Sequence, residues 1–261
     1  MKFAYISLFL FSTSLLGQQA TPATAAAPIV AQAAPATSLT PQQIEGMQRK
    51  LADWPALAHY RDENIKLGDP APGEKRVVFI GDSITEFWGK TYGKFFPGKP
   101  YVNRGISGQT TPQMLVRFQQ DVLHLKPTVV VLAGGINDIA GNTGPESLEA
   151  IEDNYRSMVQ LAKAAHIRIV ITSPLPASLI PWRPSVHPAE TVRQLNLWIK
   201  GYAQTEHLVY VDYYSAMVDD HGGIRPALAI DKAVHPNDVG YAIMEPLAQQ
   251  AIERALAEPQ P

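Results

Sequence analysis

The sequence predicts an α/β domain in which helices cover a parallel sheet. Two patterns carry that reading. Five short runs rich in β-branched residues are apolar along their length rather than in alternation, as strands buried on both faces are. Helical patterns separate or follow these runs, and strand–helix alternation builds parallel sheets flanked by helices. A third observation agrees: residues able to do chemistry gather just beyond the ends of the runs, where sheets of this kind place their sites.

The runs are residues 76–80, 101–103, 128–132, 168–172 and 208–212. Before them, Thr40-Pro41 joins an N-cap residue to a Pro at the first helical position, which predicts a helix through Met47, Leu51 and Trp54. A turn-helix segment at 55–60 then leads to a Gly/Pro-rich loop at 68–73. Later helical patterns cover 112–125, 147–165, 188–203 and 238–257, the last with Asp238 as its N-cap candidate. Trp54 and Trp198 fall in helical patterns and are assigned to the core. No internal repeat is present, which excludes solenoids and propellers.

The start of the chain is different in kind. After Lys2 the next charged residue is Glu45. The apolar run at 3–16 is shorter than the roughly 20 residues a spanning helix needs. Residues 1–25 are therefore read as a secretory signal peptide, with Ala23-Thr24-Ala25 as a small-x-small cleavage site. Residues 26–39, rich in Ala and Pro, are read as a disordered tether, because they bury too little surface to offset their ordering entropy. The folded domain is expected over 40–257, in a secreted or periplasmic protein with no stable membrane span after processing.

Composition removes several functions. Net charge over the 261 residues is −2, with Lys and Arg scattered, which argues against a nucleic-acid binder. The absence of cysteine excludes disulfides, Cys-ligated zinc, iron–sulfur clusters, thiol catalysis and lipid attachment at Cys. The histidines show no H-E-x-x-H or similar spacing, so no metal is expected, and no cofactor. G-x-G-x-x-G and G-x-S-x-G are both absent. Gly89-Lys90-Thr91 lacks the earlier glycine of a P-loop, because position 84 is Ile.

Four loops carry candidate chemistry. The first run ends in Gly81-Asp82-Ser83, which holds a serine at the mouth of the sheet near a helix start. The second leads to Ser107-Gly108-Gln109-Thr110, where glycine lets the backbone come close to a substrate. The third leads to Gly134-Gly135-Ile136-Asn137-Asp138, whose Asn137 is a neutral two-proton donor. Asp231-Lys232-Ala233-Val234-His235-Pro236-Asn237 precedes the last helix. Together they offer a nucleophile, a base, an acid and several donors.

In this order the four loops resemble the four blocks of the SGNH hydrolases, the GDSL-like esterase and lipase superfamily, over about residues 76–256. The resemblance implies a flavodoxin-like three-layer α/β/α sandwich with a five-stranded parallel sheet. It implies Ser83 as nucleophile and His235 as general base. Ser83 N–H, Gly108 N–H and the Asn137 side chain would form the oxyanion hole. One block departs from the family pattern of Asp-x-x-His: position 232 is Lys, and the nearest acid, Asp231, stands four residues before His235. Three arrangements satisfy this spacing. Asp231 reaches His235 through a one-residue bulge, another acid such as Asp238 or Asp212 serves, or a backbone carbonyl orients the imidazole and leaves a dyad.

Two groups are candidates for the substrate walls. Glu86-Phe87-Trp88 follows the nucleophile, and Trp182 and Arg183 lie in a proline-rich loop that is either a stiff connection or a lip. The expected activity is a serine esterase acting through a Ser83 acyl-enzyme on short acyl groups, acetyl above all, carried by carbohydrate. The alternatives are a lysophospholipase or thioesterase-like acyl hydrolase, and a non-catalytic glycan- or lipid-binding protein. The partners expected are small-molecule, glycan or lipid esters.

Overall fold

The computed structural model describes residues 39–258, and the fold is that of a unit beginning at Gln42. Residues 1–38, which hold the expected signal peptide and nearly all of the expected tether, lie outside the described residues. In chain order the first elements are α1 (Pro41–Ala52), α2 (Arg61–Leu67), β1 (Val77–Gly81), α3 (Ser83–Phe87), β2 (Tyr101–Gly105), α4 (Thr111–Asp121) and β3 (Val129–Leu132). Then follow α5 (Ile136–Ile139), α6 (Leu148–Ala164), β4 (Arg168–Thr172), α7 (Ala189–Thr205), β5 (Val209–Val211), α8 (Tyr213–Met217) and α9 (Asp238–Ala257).

The five strands form one parallel sheet in the order β2-β1-β3-β4-β5. Alternate residues sort to its two faces. Val78, Ile80, Val130, Leu132, Ile169 and Ile171 pack with the apolar stripes of α4, α6 and α7, including Phe118, Tyr155 and Ile199. Val77, Phe79, Val129, Val131, Val170 and Val209 pack with α9 through Met244, Ala248, Ala251 and Ile252, and with Met217 of α8. Both faces are therefore covered, which is why β1 and β3 are buried at every position and read as unbroken apolar runs. The result is a three-layer α/β/α sandwich.

The chain passes from β1 out to β2 and then returns to the other side of β1 for β3. The C-terminal ends of β1 and β3 thus flank the point where strand order reverses, the crevice in which open α/β sheets bind ligands.

Several expected details differ. β2 runs to Gly105, two residues beyond the apolar run, because Asn103 and Arg104 find polar partners: Asn103 donates to the Thr85 carbonyl at 2.6 Å, and Arg104 to Asn64 at 2.8 Å. Residues 55–60 form turns, and the second helix starts only at Arg61. Trp54 is not in the core. It lies past the end of α1, 38% exposed, and no residue of α1 is buried. Trp198 is half-buried and stacks on Tyr202 at 4.9 Å. The cap of α9 is Asn237, whose Oδ1 accepts from Val239 N–H and Gly240 N–H, while Asp238 accepts from Gly93 N–H at 2.7 Å.

Candidate active site

Ser83 is the first residue of α3, directly after β1. Asp82 caps this helix by accepting from Ile84 N–H at 2.9 Å. A first-turn N–H has no partner within its own helix, so that of Ser83 is available to a ligand. The glycine that opens the motif is required by space: a Cβ on Gly81 would lie 2.1 Å from Thr85 Oγ1 and 3.0 Å from the Ala133 carbonyl. The nucleophile turn can therefore sit tightly over the strand ends.

Ser83 Oγ lies 2.9 Å from His235 Nε2, and His235 Nδ1 lies 2.7 Å from Asp231 Oδ2. A carboxylate can only accept, so Nδ1 carries the imidazole proton and Nε2 is left to accept from the serine. The other Asp231 oxygen accepts from the backbone N–H groups of Ala233, Val234 and His235 at 3.0, 2.9 and 3.1 Å. Burial would raise the Asp231 carboxyl. The bonds from His235 and these three N–H groups outweigh it and hold the group well below the usual carboxylate range.

The Asp-x-x-x-His spacing works because the extra residue is absorbed locally. Lys232 takes a left-handed backbone conformation, φ 58°, and the loop curls so that Asp231 faces His235 across it. This is the bulged arrangement. Asp238 and Asp212 are engaged elsewhere, with Gly93 and with Ser215.

The Gly108 loop forms the opposite wall. Gln109 N–H donates to the Ile106 carbonyl, which closes a turn with Gly108 in third position at φ 78°, a conformation that favours glycine. Glu86 of α3 clamps this turn from one side, its Oε2 accepting from Ser107 N–H at 2.8 Å and Ser107 Oγ at 2.5 Å. Asn142 Nδ2 holds the other side by donating to the Gly108 carbonyl at 3.1 Å. Burial would raise Glu86, but the bonds from Lys90 and Ser107 keep it below its ordinary range and charged.

Asn137, on α5, is buried. Its Nδ2 donates to the Gln109 carbonyl at 3.0 Å and lies 3.5 Å from Asp82 Oδ2, and its Oδ1 accepts from Asn142 Nδ2 at 2.8 Å. The next residue, Asp138, accepts from Thr111 N–H and Oγ1 and ties α5 to the start of α4.

Ser83, Phe87, Ser107, Gly108, Asn137, Asn142, Trp182 and His235 line one open pocket of about 300 Å3. The His235 ring neighbours two aromatic rings, Phe87 at 5.6 Å and Trp182 at 5.8 Å. A serine, an imidazole with its acceptor nitrogen toward that serine, and convergent N–H donors on one cavity are the parts needed for acyl transfer.

The family model for the GDSL-like lipase/acylhydrolase family matches residues 79–243, more than half of the chain. The chain belongs to this family. As a GDSL-like acylhydrolase it is a carboxylic ester hydrolase. It is similar to a crystal structure from Bacteroides fragilis assigned as an acylhydrolase, at 46% identity and a TM-score of 0.75, covering 78% of this chain and 98% of that one. A GDSL-like lipase from Bacteroides thetaiotaomicron shares 43% identity at a TM-score of 0.74, over 77% of this chain and 98% of its own. An acetylxylan esterase from Geobacillus stearothermophilus is 27% identical over 210 residues, 69% of this chain and 93% of that protein.

In this acylhydrolase the expected wall residue Trp88 is misplaced by the sequence reading. It is buried in the core under α3, against Phe79, Phe96 and Tyr241, with its Nε1 donating to the Lys94 carbonyl at 3.0 Å. Phe87 ends α3 and faces the pocket, whereas Trp88, the next residue, has extended backbone and turns into the core. Trp182 reaches the pocket as a lip residue. Arg183 does not line it; its Nη2 donates to the Gly141 carbonyl at 3.3 Å. The lip is anchored by Ala177 and Ile180, which are fully buried beside Ile136 and Val234. Asn142 was not singled out by its sequence position, five residues after Asn137 between two glycines; only the fold brings it to the hole.

Proposed function

We propose that this acylhydrolase removes short acyl groups, acetyl above all, from carbohydrate esters through an acyl-enzyme on Ser83. The observation that carries the reading is the hydrogen-bonded line from Ser83 Oγ through His235 to Asp231, opening on the same pocket as Gly108 and Asn137. Ser83 Oγ attacks the ester carbon and passes its proton to His235 Nε2. Ser83 N–H, Gly108 N–H and Asn137 Nδ2 stabilise the oxyanion, each such donor being worth about 2.7–4 kcal/mol in known cases. The tetrahedral intermediate collapses, and Nε2 returns the proton to the departing sugar oxygen. Water, deprotonated by the same nitrogen, then releases the acid from Ser83 Oγ.

Short acyl groups are supported by the limited volume, about 300 Å3, of the pocket that Phe87 and Trp182 help to line. Carbohydrate is supported by the half-open indole of Trp182 at the rim, a flat apolar face on which a sugar ring can lie, and by the similarity to an acetylxylan esterase. Chain-length profiling on p-nitrophenyl esters beside acetylated xylo-oligosaccharides tests this. Acetyl ester and acetylated glycan should lead, and Ser83→Ala should lower turnover by about 10⁴-fold or more. A preference for chains of about eight carbons or longer would replace it with a lysophospholipase-type reading. Export belongs to the same proposal and rests on residues 1–25. Recovery of a mature chain beginning after Ala25 outside the cytoplasm supports it, and an intact N-terminus on a cytoplasmic protein refutes it.

A further inference from the structure

The sequence of donors and acceptors from the lip to the oxyanion hole has only one consistent direction. Trp182 Nε1–H donates to Asn142 Oδ1 at 2.9 Å. Indole nitrogen is a donor and never an acceptor, so the oxygen of the Asn142 amide must face Trp182. The Asn142 NH2 then faces the other way, and its two protons go to the Gly108 carbonyl and to Asn137 Oδ1, at 3.1 and 2.8 Å. With its oxygen on Asn142 and one amide proton on the Gln109 carbonyl, Asn137 has its second proton left for the hole. Each amide in isolation fits equally well flipped by 180°. The indole N–H at one end, and the Gly108 and Gln109 carbonyls, which can only accept, at the other, remove that freedom from both.

We infer that Trp182 and Asn142 are positioning residues for the oxyanion hole: the indole N–H of the lip holds Asn142 by its amide oxygen, and Asn142 in turn holds Asn137 and the Gly108 turn in place. The inference rests on the hydrolase reading above. The relay is built into the fold at both ends. Ile180 and Ala177 anchor the lip, and Arg183 secures it to the Gly141 carbonyl beside Asn142. The Asn142 backbone N–H donates to the Asn137 carbonyl at 3.0 Å, so the two asparagines belong to one short turn. A hydrophobic lip residue that only walls the pocket has no need of its N–H. Here the N–H links the substrate rim directly to a side chain that holds the hole.

Four variants test it, assayed on p-nitrophenyl acetate with the folded state of each checked by thermal melting. Trp182→Phe keeps an aromatic ring and deletes the N–H; kcat should fall about 10-fold with KM changed less than about threefold, because oxyanion donors act in the transition state. Asn142→Ala should lower kcat about 30-fold in the same pattern. Asn142→Asp still accepts from Trp182, but its carboxylate has no proton for Asn137 or Gly108. Protonation restores one donor, so its kcat relative to wild type should rise several-fold between pH 7 and pH 5, a change that loss of packing would not produce. Ser83→Ala is the control. If it abolishes turnover while Trp182→Phe and Asn142→Ala keep kcat within twofold, or raise KM alone, the relay is refuted and the hydrolase reading stands. If Ser83→Ala keeps its turnover, both are refuted.

Discussion

The two halves of the site are held in opposite ways. The half that carries Ser83, Gly108 and Asn137 grows from the ends of β1, β2 and β3 and is fixed from beneath by buried polar groups. Arg117, fully buried, donates to Gln109 Oε1 and to the Gly81 carbonyl and pairs with Asp121 at 3.1 Å. Gln109 in turn donates to the Pro55 carbonyl at 2.8 Å. The half that carries His235 is a single partly exposed loop before α9, organised around one carboxylate that accepts four hydrogen bonds. Each half contains an aspartate, and the environments drive them apart. Asp231, rich in donors, is held below the ordinary range. Asp82 is completely buried and pushed up to about 6 by desolvation, which the Ile84 N–H and the nearby His235 offset only in part. A group that must stay charged to hold an imidazolium is given donors and some solvent. A group that only braces the hole is given one close backbone donor and no solvent.

The sharpest way to break this contrast is Asp231→Asn. The amide can still accept some of the backbone N–H bonds, but it removes the negative charge beside the imidazolium and allows the wrong tautomer. A comparable change in a serine protease costs about 10⁴ in kcat; a fall of about 10²–10⁴ with little change in KM is expected here. The sign for stability follows from the depressed carboxyl. The folded state binds fewer protons than the unfolded state between the two pKa values, so Asp231 stabilises above the unfolded carboxylate range and that stability is lost as pH falls through it. The melting-temperature gap between wild type and Asp231→Asn should therefore be widest near pH 7 and close toward pH 3. A fall in kcat of less than threefold would show that His235 is oriented without Asp231.

What was legible in the sequence follows the same division. The sheet half was readable because strand ends are marked by short-range signals: an unbroken β-branched run, then Gly81-Asp82-Ser83 or Gly134–Asp138. The histidine half was readable only to within three alternatives, because one residue more or less in a loop is settled by a backbone dihedral, that of Lys232, and not by residue type. Residues acting across loops were not readable. Glu86 and Ser107 are 21 positions apart and Asn142 and Trp182 are 40, and their types alone look like ordinary polar turns. Trp88 failed for a different reason. Its neighbour Phe87 has nearly the same character, and residue type does not show that the helix stops between them and the backbone turns extended at Trp88. Trp54 failed because apolar spacing in α1 does not require a partner surface within the domain.

Asp82→Asn tests the other half and has the smaller expected effect. An acid whose folded pKa is raised binds more protons folded than unfolded between about 3.9 and about 6, so wild-type stability contributed by Asp82 is full at low pH and declines as pH rises through that window. An amide does not titrate. The melting temperature of Asp82→Asn relative to wild type should therefore rise by about 4–8 °C between pH 4 and pH 7, opposite in direction to the gap for Asp231→Asn. The slope is the readout rather than either absolute value, because the new amide must keep its oxygen on Ile84 N–H and so turns its NH2 toward Asn137 Nδ2, donor against donor. That mismatch lowers stability equally at every pH and leaves the slope untouched. If the two variants shift with pH in the same direction, the two aspartates share one environment and the division of the site into a charged half and a braced half is wrong.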